Sequence, residues 1–182
     1  MAQPYEAVIR RATLADAEAG ARCHAACWRE AYADIVAPVV LDALTADPAG
    51  RVAAWTRQLG RGDERWLALI GDEVVGFASA GDNRDDDLIG LMELYACYVR
   101  AAHQRRGLAS RLLAAAIGDA PASLWVFATN ERARWFYRRH GFVEDGSRKD
   151  DPRFGAEEIR MVRRGVRRGG VTGGMTGGVT GA

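Results

Sequence analysis

The residues richest in chemistry are Gln104, Arg105, Arg106, Gly107, Leu108 and Ala109, which lie between a strand-like run at 91–99 and a helical pattern opening at Leu108. A helix entered through a tight turn presents unpaired backbone N–H groups and the positive end of its dipole, and a pyrophosphate satisfies both. Gly107 lets the backbone come close to such an anion. Arg105, Arg106, Gly107, Leu108, Ala109 and Ser110 would bind it mainly through main-chain N–H groups. A second position is Glu93, a carboxylate inside Leu91-Met92-Glu93-Leu94-Tyr95-Ala96-Cys97-Tyr98-Val99. Period-two geometry places it on the face of Tyr95, Cys97 and Val99. A third segment, opening at Asn130 and ending at the C-cap signal His140-Gly141, carries Tyr137 on an amphipathic helix.

Gln104-Arg105-Arg106-Gly107-Leu108-Ala109 resembles the Q/R-x-x-G-x-G/A acyl-CoA signature of the GNAT superfamily of N-acetyltransferases, with Ala109 in the small last position. Asn130-Glu131-Arg132-Ala133-Arg134-Trp135-Phe136-Tyr137-Arg138-Arg139-His140-Gly141-Phe142 is similar to the superfamily's N-x-x-A-x-x-F/Y-Y-x-x-x-G-F segment, in the expected place. The resemblance implies acetyl-CoA as acyl-donor co-substrate and direct transfer to an amine. Gln104 and the turn after it would take the pyrophosphate. Tyr98 and Val99, where the strand splays from its neighbour, would offer groups to the pantetheine arm, and the Asn130 side chain would hydrogen-bond the same arm. Tyr137 would protonate the departing thiolate, and a phenol with a pKa near 10 suits a thiol near 8.5 when geometry holds them together.

An alkyl amine with a pKa near 10 must lose a proton before it attacks, at a cost of about 4 kcal/mol at neutral pH. Glu93 lies on the same strand as the catalytic Glu of the superfamily's histone acetyltransferase branch and so resembles a general base. A Glu paired with an arginine is the other reading, and the sequence leaves both open. Trp28 and Tyr32, at i,i+4, form either an aromatic wall for a cationic acceptor or a core stripe. Enzymes of the superfamily that acetylate ribosomal protein N-termini carry a Glu on the strand before the Asn, where this chain has Trp125.

The elements that must position these residues are legible from periodicity. A short strand at 7–10 precedes a helix that starts after Thr13 and Asp16 and runs to about 32, and further helices cover 36–44 and 50–59. Strands at 66–70 and 74–80 form a hairpin, and a polar connection at 81–87 leads to the strand at 91–99. The helix at 108–117, strand at 123–128, helix at 130–139 and strands at 142–147 and 156–162 follow. A meander followed by alternating strands and helices indicates an α/β (α+β) mixed sheet with helices on both faces. The GNAT resemblance implies a mostly antiparallel sheet whose fourth and fifth strands run parallel.

The 182 residues, 48% hydrophobic, suit one domain at 1–163, followed at 164–182 by a Gly, Thr and Arg segment expected to be a disordered tail. A net charge of +1 gives no reason to propose a nucleic acid partner, and no run has signal-peptide or membrane-spanning length, so a cytoplasmic protein without a membrane partner is expected. Homodimerisation stays open. Cys23, Cys27 and Cys97 make neither a disulfide framework nor a four-ligand metal site, and no metal is expected. Cys97 lacks a partner that would make it a nucleophile. A non-catalytic acyl-CoA sensor is the alternative; a nucleotide-binding oxidoreductase is set aside because no G-x-G-x-x-G follows the first strand.

Overall fold

The computed structural model describes residues 6–165. Strand β1, Val8–Arg11, leads into a short 3-10 turn through a capping box, in which the Asp16 carboxylate accepts from the Thr13 backbone N–H at 2.7 Å and is gripped by both Arg10 terminal nitrogens. Helix α1 follows at Ala17–Tyr32. Helices α2, Pro38–Thr45, and α3, Pro48–Gly60, each open on a proline, whose missing N–H costs nothing in the first turn. The remaining elements are β2 Arg65–Ile70, β3 Glu73–Asp82, β4 Met92–Val99, α4 Leu108–Ile117, β5 Ala122–Phe127, α5 Glu131–Arg139, β6 Val143–Asp151 and β7 Ala156–Arg163.

The seven strands form one sheet in the order β1-β2-β3-β4-β5-β7-β6, antiparallel throughout except for the parallel β4/β5 pair. On one face α1 and α3 bury Trp55, Leu67, Phe77 and Cys27. Trp55 packs so closely on Gly20 that a Cβ there would lie 2.2 Å from its ring. On the other face α4 and α5 bury Leu112, Leu113, Leu124, Tyr137, Phe142 and Met161.

Three local features depart from the periodicity. Strand β3 runs on to Asp82, into the segment expected to be a polar connection, because it pairs with β4 as far as Met92. Strand β6 continues to Asp151, its register on β7 re-forming at Arg148 after a break beyond Glu144. Strand β4 carries a register shift: Ser79 faces Ala96 while Ala80 faces Leu94, so Tyr95 is the extra residue. The shift moves Glu93 off the face of Cys97 and Val99. Its side chain instead shares the α1 face with Ala96 and Tyr98, and Tyr95 lies over Arg84. The placement by strict alternation is therefore corrected.

The expected tail at 164–182 lies, beyond residue 165, outside the described residues. Among the described residues, no helix is long and apolar enough to cross a membrane.

Candidate active site

The site begins at a gap in the sheet. β4 and β5 are in register only at Met92 with Ala122 and Glu93 with Ser123, after which they diverge. The Arg100 backbone N–H donates to Val75 across the β3 edge at 2.9 Å, so the alternation of an antiparallel ladder turns the Val99 peptide groups the other way, into the gap. The Val99 carbonyl accepts from the Gln104 side-chain nitrogen at 2.9 Å. Gln104 is thus occupied in holding the strand end.

The turn then reverses through Arg105 (φ 61°) and Gly107 (φ 76°), and Gly107 caps α4 with open space where a Cβ would stand. A positive φ at that position favours glycine, and its neighbourhood leaves room for a ligand. α4 covers the β1–β4 half of the sheet and α5 the other half. The His140 ring bonds to the Ser110 hydroxyl at 3.0 Å and the Arg132 guanidinium to the Gln104 side chain, both joining the two halves at the mouth. Arg105, Arg132 and Arg139 line that mouth.

Asn130 caps α5, its oxygen accepting from the Ala133 N–H at 3.1 Å, which leaves its NH2 group for the cleft. Tyr137 is 9% exposed and lines the gap. Burial, with Cys97 and Tyr98 beside it, raises its phenol well above the usual pKa, so it keeps its proton at neutral pH. Among the described residues no protein group hydrogen-bonds its hydroxyl.

The cleft continues onto the α1 face. Its total volume of about 1630 Å³ exceeds the usual range for a pocket holding one small molecule and leaves room for two substrates. Tyr98 stacks on Phe77, and its hydroxyl bonds that of Tyr32. Burial pushes the Tyr98 phenol up to about 12. The Tyr98 side chain therefore belongs to the α1 half of the cleft. Trp28 meets Phe154 and His24 edge-on, and Tyr32 packs on Phe127 and Phe154, so the pair forms a cleft wall and a core contact at once. Burial, with Arg51 and Arg65 nearby, pushes His24 down to about 3, so it is neutral and accepts from the Trp55 indole at 3.3 Å.

Glu93 is 1% exposed and wholly engaged by Arg84: the backbone N–H and Nε reach one oxygen at 3.0 and 2.9 Å, and a terminal nitrogen reaches the other. The arginine-paired reading of Glu93 describes its contacts. Periodicity missed another of the cleft's carboxylates, Glu158 on β7, which has Lys149 at 3.7 Å. Burial raises its pKa. An acidic residue in the alternating run of β7 carries no mark of which face borders the cleft, so only the sheet order could reveal it.

Residues 25–142 match the family model described as Acetyltransferase (GNAT) family. The chain is 30% identical over 149 residues to a Mycobacterium tuberculosis protein named "Probable N-acetyltransferase Rv2775", covering 79% of this chain and 84% of that protein. Its fold superposes with a TM-score of 0.69 on the PaiA N-acetyltransferase of Thermoplasma acidophilum, solved with coenzyme A, at 17% identity over 87% of this chain and 99% of that one. For yncA of Salmonella typhimurium, solved with acetyl-CoA, the values are 0.66, 21%, 87% and 94%. A sheet parted between two parallel strands, a glycine-capped helix at the parting, and the agreement of family model and relative lead to one conclusion: the chain belongs to the GNAT family of acetyltransferases.

Proposed function

We propose that this protein transfers the acetyl group of acetyl-CoA directly to a primary amine, both bound in one cleft. The observation that carries the reading is Tyr137, a protonated phenol without a protein partner at the gap that joins the phosphate turn to the acceptor half. Acetyl-CoA supplies a thioester carbonyl and a thiolate leaving group. The N–H groups after Gly107 and the positive end of α4 hold its pyrophosphate. Val99 and the Asn130 NH2 group orient the arm along the gap, and Tyr137 gives its proton to the departing sulfur.

The amine's proton goes to a cleft carboxylate. Glu93 has both oxygens committed to Arg84, whereas Glu158 faces a single lysine and is made more basic by burial. We therefore assign proton acceptance to Glu158 and the anchoring of Arg84 to Glu93. Thiol release from acetyl-CoA, measured against polyamines, aminoglycosides, amino acids and short peptides, tests the reading. Turnover with one amine class, lowered in Tyr137→Phe, supports it, and no turnover by folded protein that binds acetyl-CoA moves the weight to a sensor.

A further inference from the structure

Arg65 opens β2 and is 9% exposed, yet no carboxylate lies within ion-pair distance of it among the described residues. Buried guanidinium groups are ordinarily paired, because an uncompensated charge in a poorly hydrated site is costly. Of its five N–H donors, one meets a protein acceptor, the Gln58 side chain, and its Nε is buried without a partner. Its guanidinium lies over the Trp55 ring at 4.2 Å. Arg51, also near enough to act on His24, donates to the Leu44 carbonyl at 2.6 Å and lies over the Trp28 ring, yet it has no carboxylate within ion-pair distance among the described residues and its Nε is unpartnered. With His24 neutral, no carboxylate among the described residues pairs with either guanidinium, and Asp63 and Asp47 act on Arg65 and Arg51 only from beyond ion-pair distance.

The corner opens into the acceptor cleft. Arg65 and Gln58 line it together with Ser79, Glu93 and Tyr95. Arg65 stands opposite Ser79, and Ser79 opposite Ala96, so one row crosses β2, β3 and the shifted stretch of β4 on the α1 face. Ser79 is 6% exposed, and its hydroxyl, which reaches the cleft, has no hydrogen bond to protein among the described residues. Two strand spacings, about 10 Å, separate β2 from β4. An arginine side chain and a small amino acid span that distance together.

We propose that Arg65 and Ser79 form a carboxylate-binding subsite at the β2 end of the acceptor cleft, and that the acceptor is an amino acid. This rests on the amine-acetylating reading of the same cleft. Arg65 pairs with the substrate carboxylate, while the substrate amine lies toward β4 and the gap beyond it.

The test compares L-methionine and L-phenylalanine with their decarboxylated amines, 3-(methylthio)propylamine and phenethylamine, with γ-aminobutyrate reporting the preferred spacing. Turnover by wild type, Arg65→Gln and Arg65→Lys is measured beside calorimetric binding to CoA-loaded protein. The expected result is a kcat/KM for the amino acid roughly a hundredfold above that of its amine, a ratio that collapses in Arg65→Gln and partly returns in Arg65→Lys. Equal use of amino acid and amine by wild type, or a ratio that survives Arg65→Gln, overturns the subsite. If nothing is turned over but the amino acid binds in an Arg65-dependent way, the subsite stands and the transferase reading fails. Absence of both turnover and carboxylate-dependent binding sinks the subsite.

Discussion

Tyr137 and Asn130 stand at the two ends of one short helix, and each combines a structural task with the chemical one proposed for it. Tyr137 fills the core between Leu124 and Phe142 while its hydroxyl faces the gap. Tyr137→Phe keeps the ring, so it is expected to lower kcat roughly 10²-fold or more with little change in thermal stability, read by steady-state assay beside a melt. Gly107→Val places a β-branched residue at φ 76°, and the expected outcome is weaker CoA binding in a calorimetric titration. Both residues were legible in the sequence because their spacing to the flanking elements is fixed. Arg65 and Glu158 were not, since each is one charged residue in a strand, and whether it meets solvent or a cleft depends on neighbours far away in the chain.

Element by element, periodicity located α4 at 108–117, its observed bounds, because its apolar stripe is bounded by Gly107 and Gly118. It failed at β4, where an extra residue at Tyr95 reverses the faces and no residue type announces the shift. The connection at 81–87 also hid its function. Asp85 and Asp87 on it, with Asp145 on β6, surround the Arg160 side chain of β7 at 3.2, 2.6 and 2.8 Å. This cluster ties the β3–β4 connection to the far half of the sheet. Arg160→Met is expected to cost about 1–2 kcal/mol in urea unfolding, because the partly covered Asp85 and Asp145 carboxylates lose the cation they face while Asp87 stays in solvent. On α1, His24 has a folded pKa near 3 against an unfolded value of 6.5. Between those values the unfolded chain binds the extra proton, so stability falls as pH drops below about 6.5, by up to about 1.4 kcal/mol per pH unit. Unfolding free energies at pH 7, 6 and 5 should show that slope, and His24→Gln should flatten it.

At the scale of the molecule, a mixed sheet with helices on both faces follows from the alternation of strands and helices, but the strand order and the width and reach of the cleft do not, because they depend on how distant strands pair and on where two half-sheets part. Besides apolar packing, the halves meet through two register pairs and through polar contacts that include Asn83 with Ser123, Trp125 with Asp85, His140 with Ser110, Arg132 with Gln104 and the Arg160 cluster. A ligand lodged between them braces both. CoA at a hundred times its dissociation constant is expected to add about 2.7 kcal/mol, seen as a melting shift of roughly 5–10 °C, and the absence of any shift would count against the cleft as its site. The parting also creates two strand edges in the interior of a sheet, along 94–99 and 124–127, and exposed edges ordinarily invite pairing with other chains and aggregation. Here the edges converge to contact at one end and are covered on one face by α4 and α5, so they lack the long exposed flank that pairing between chains needs.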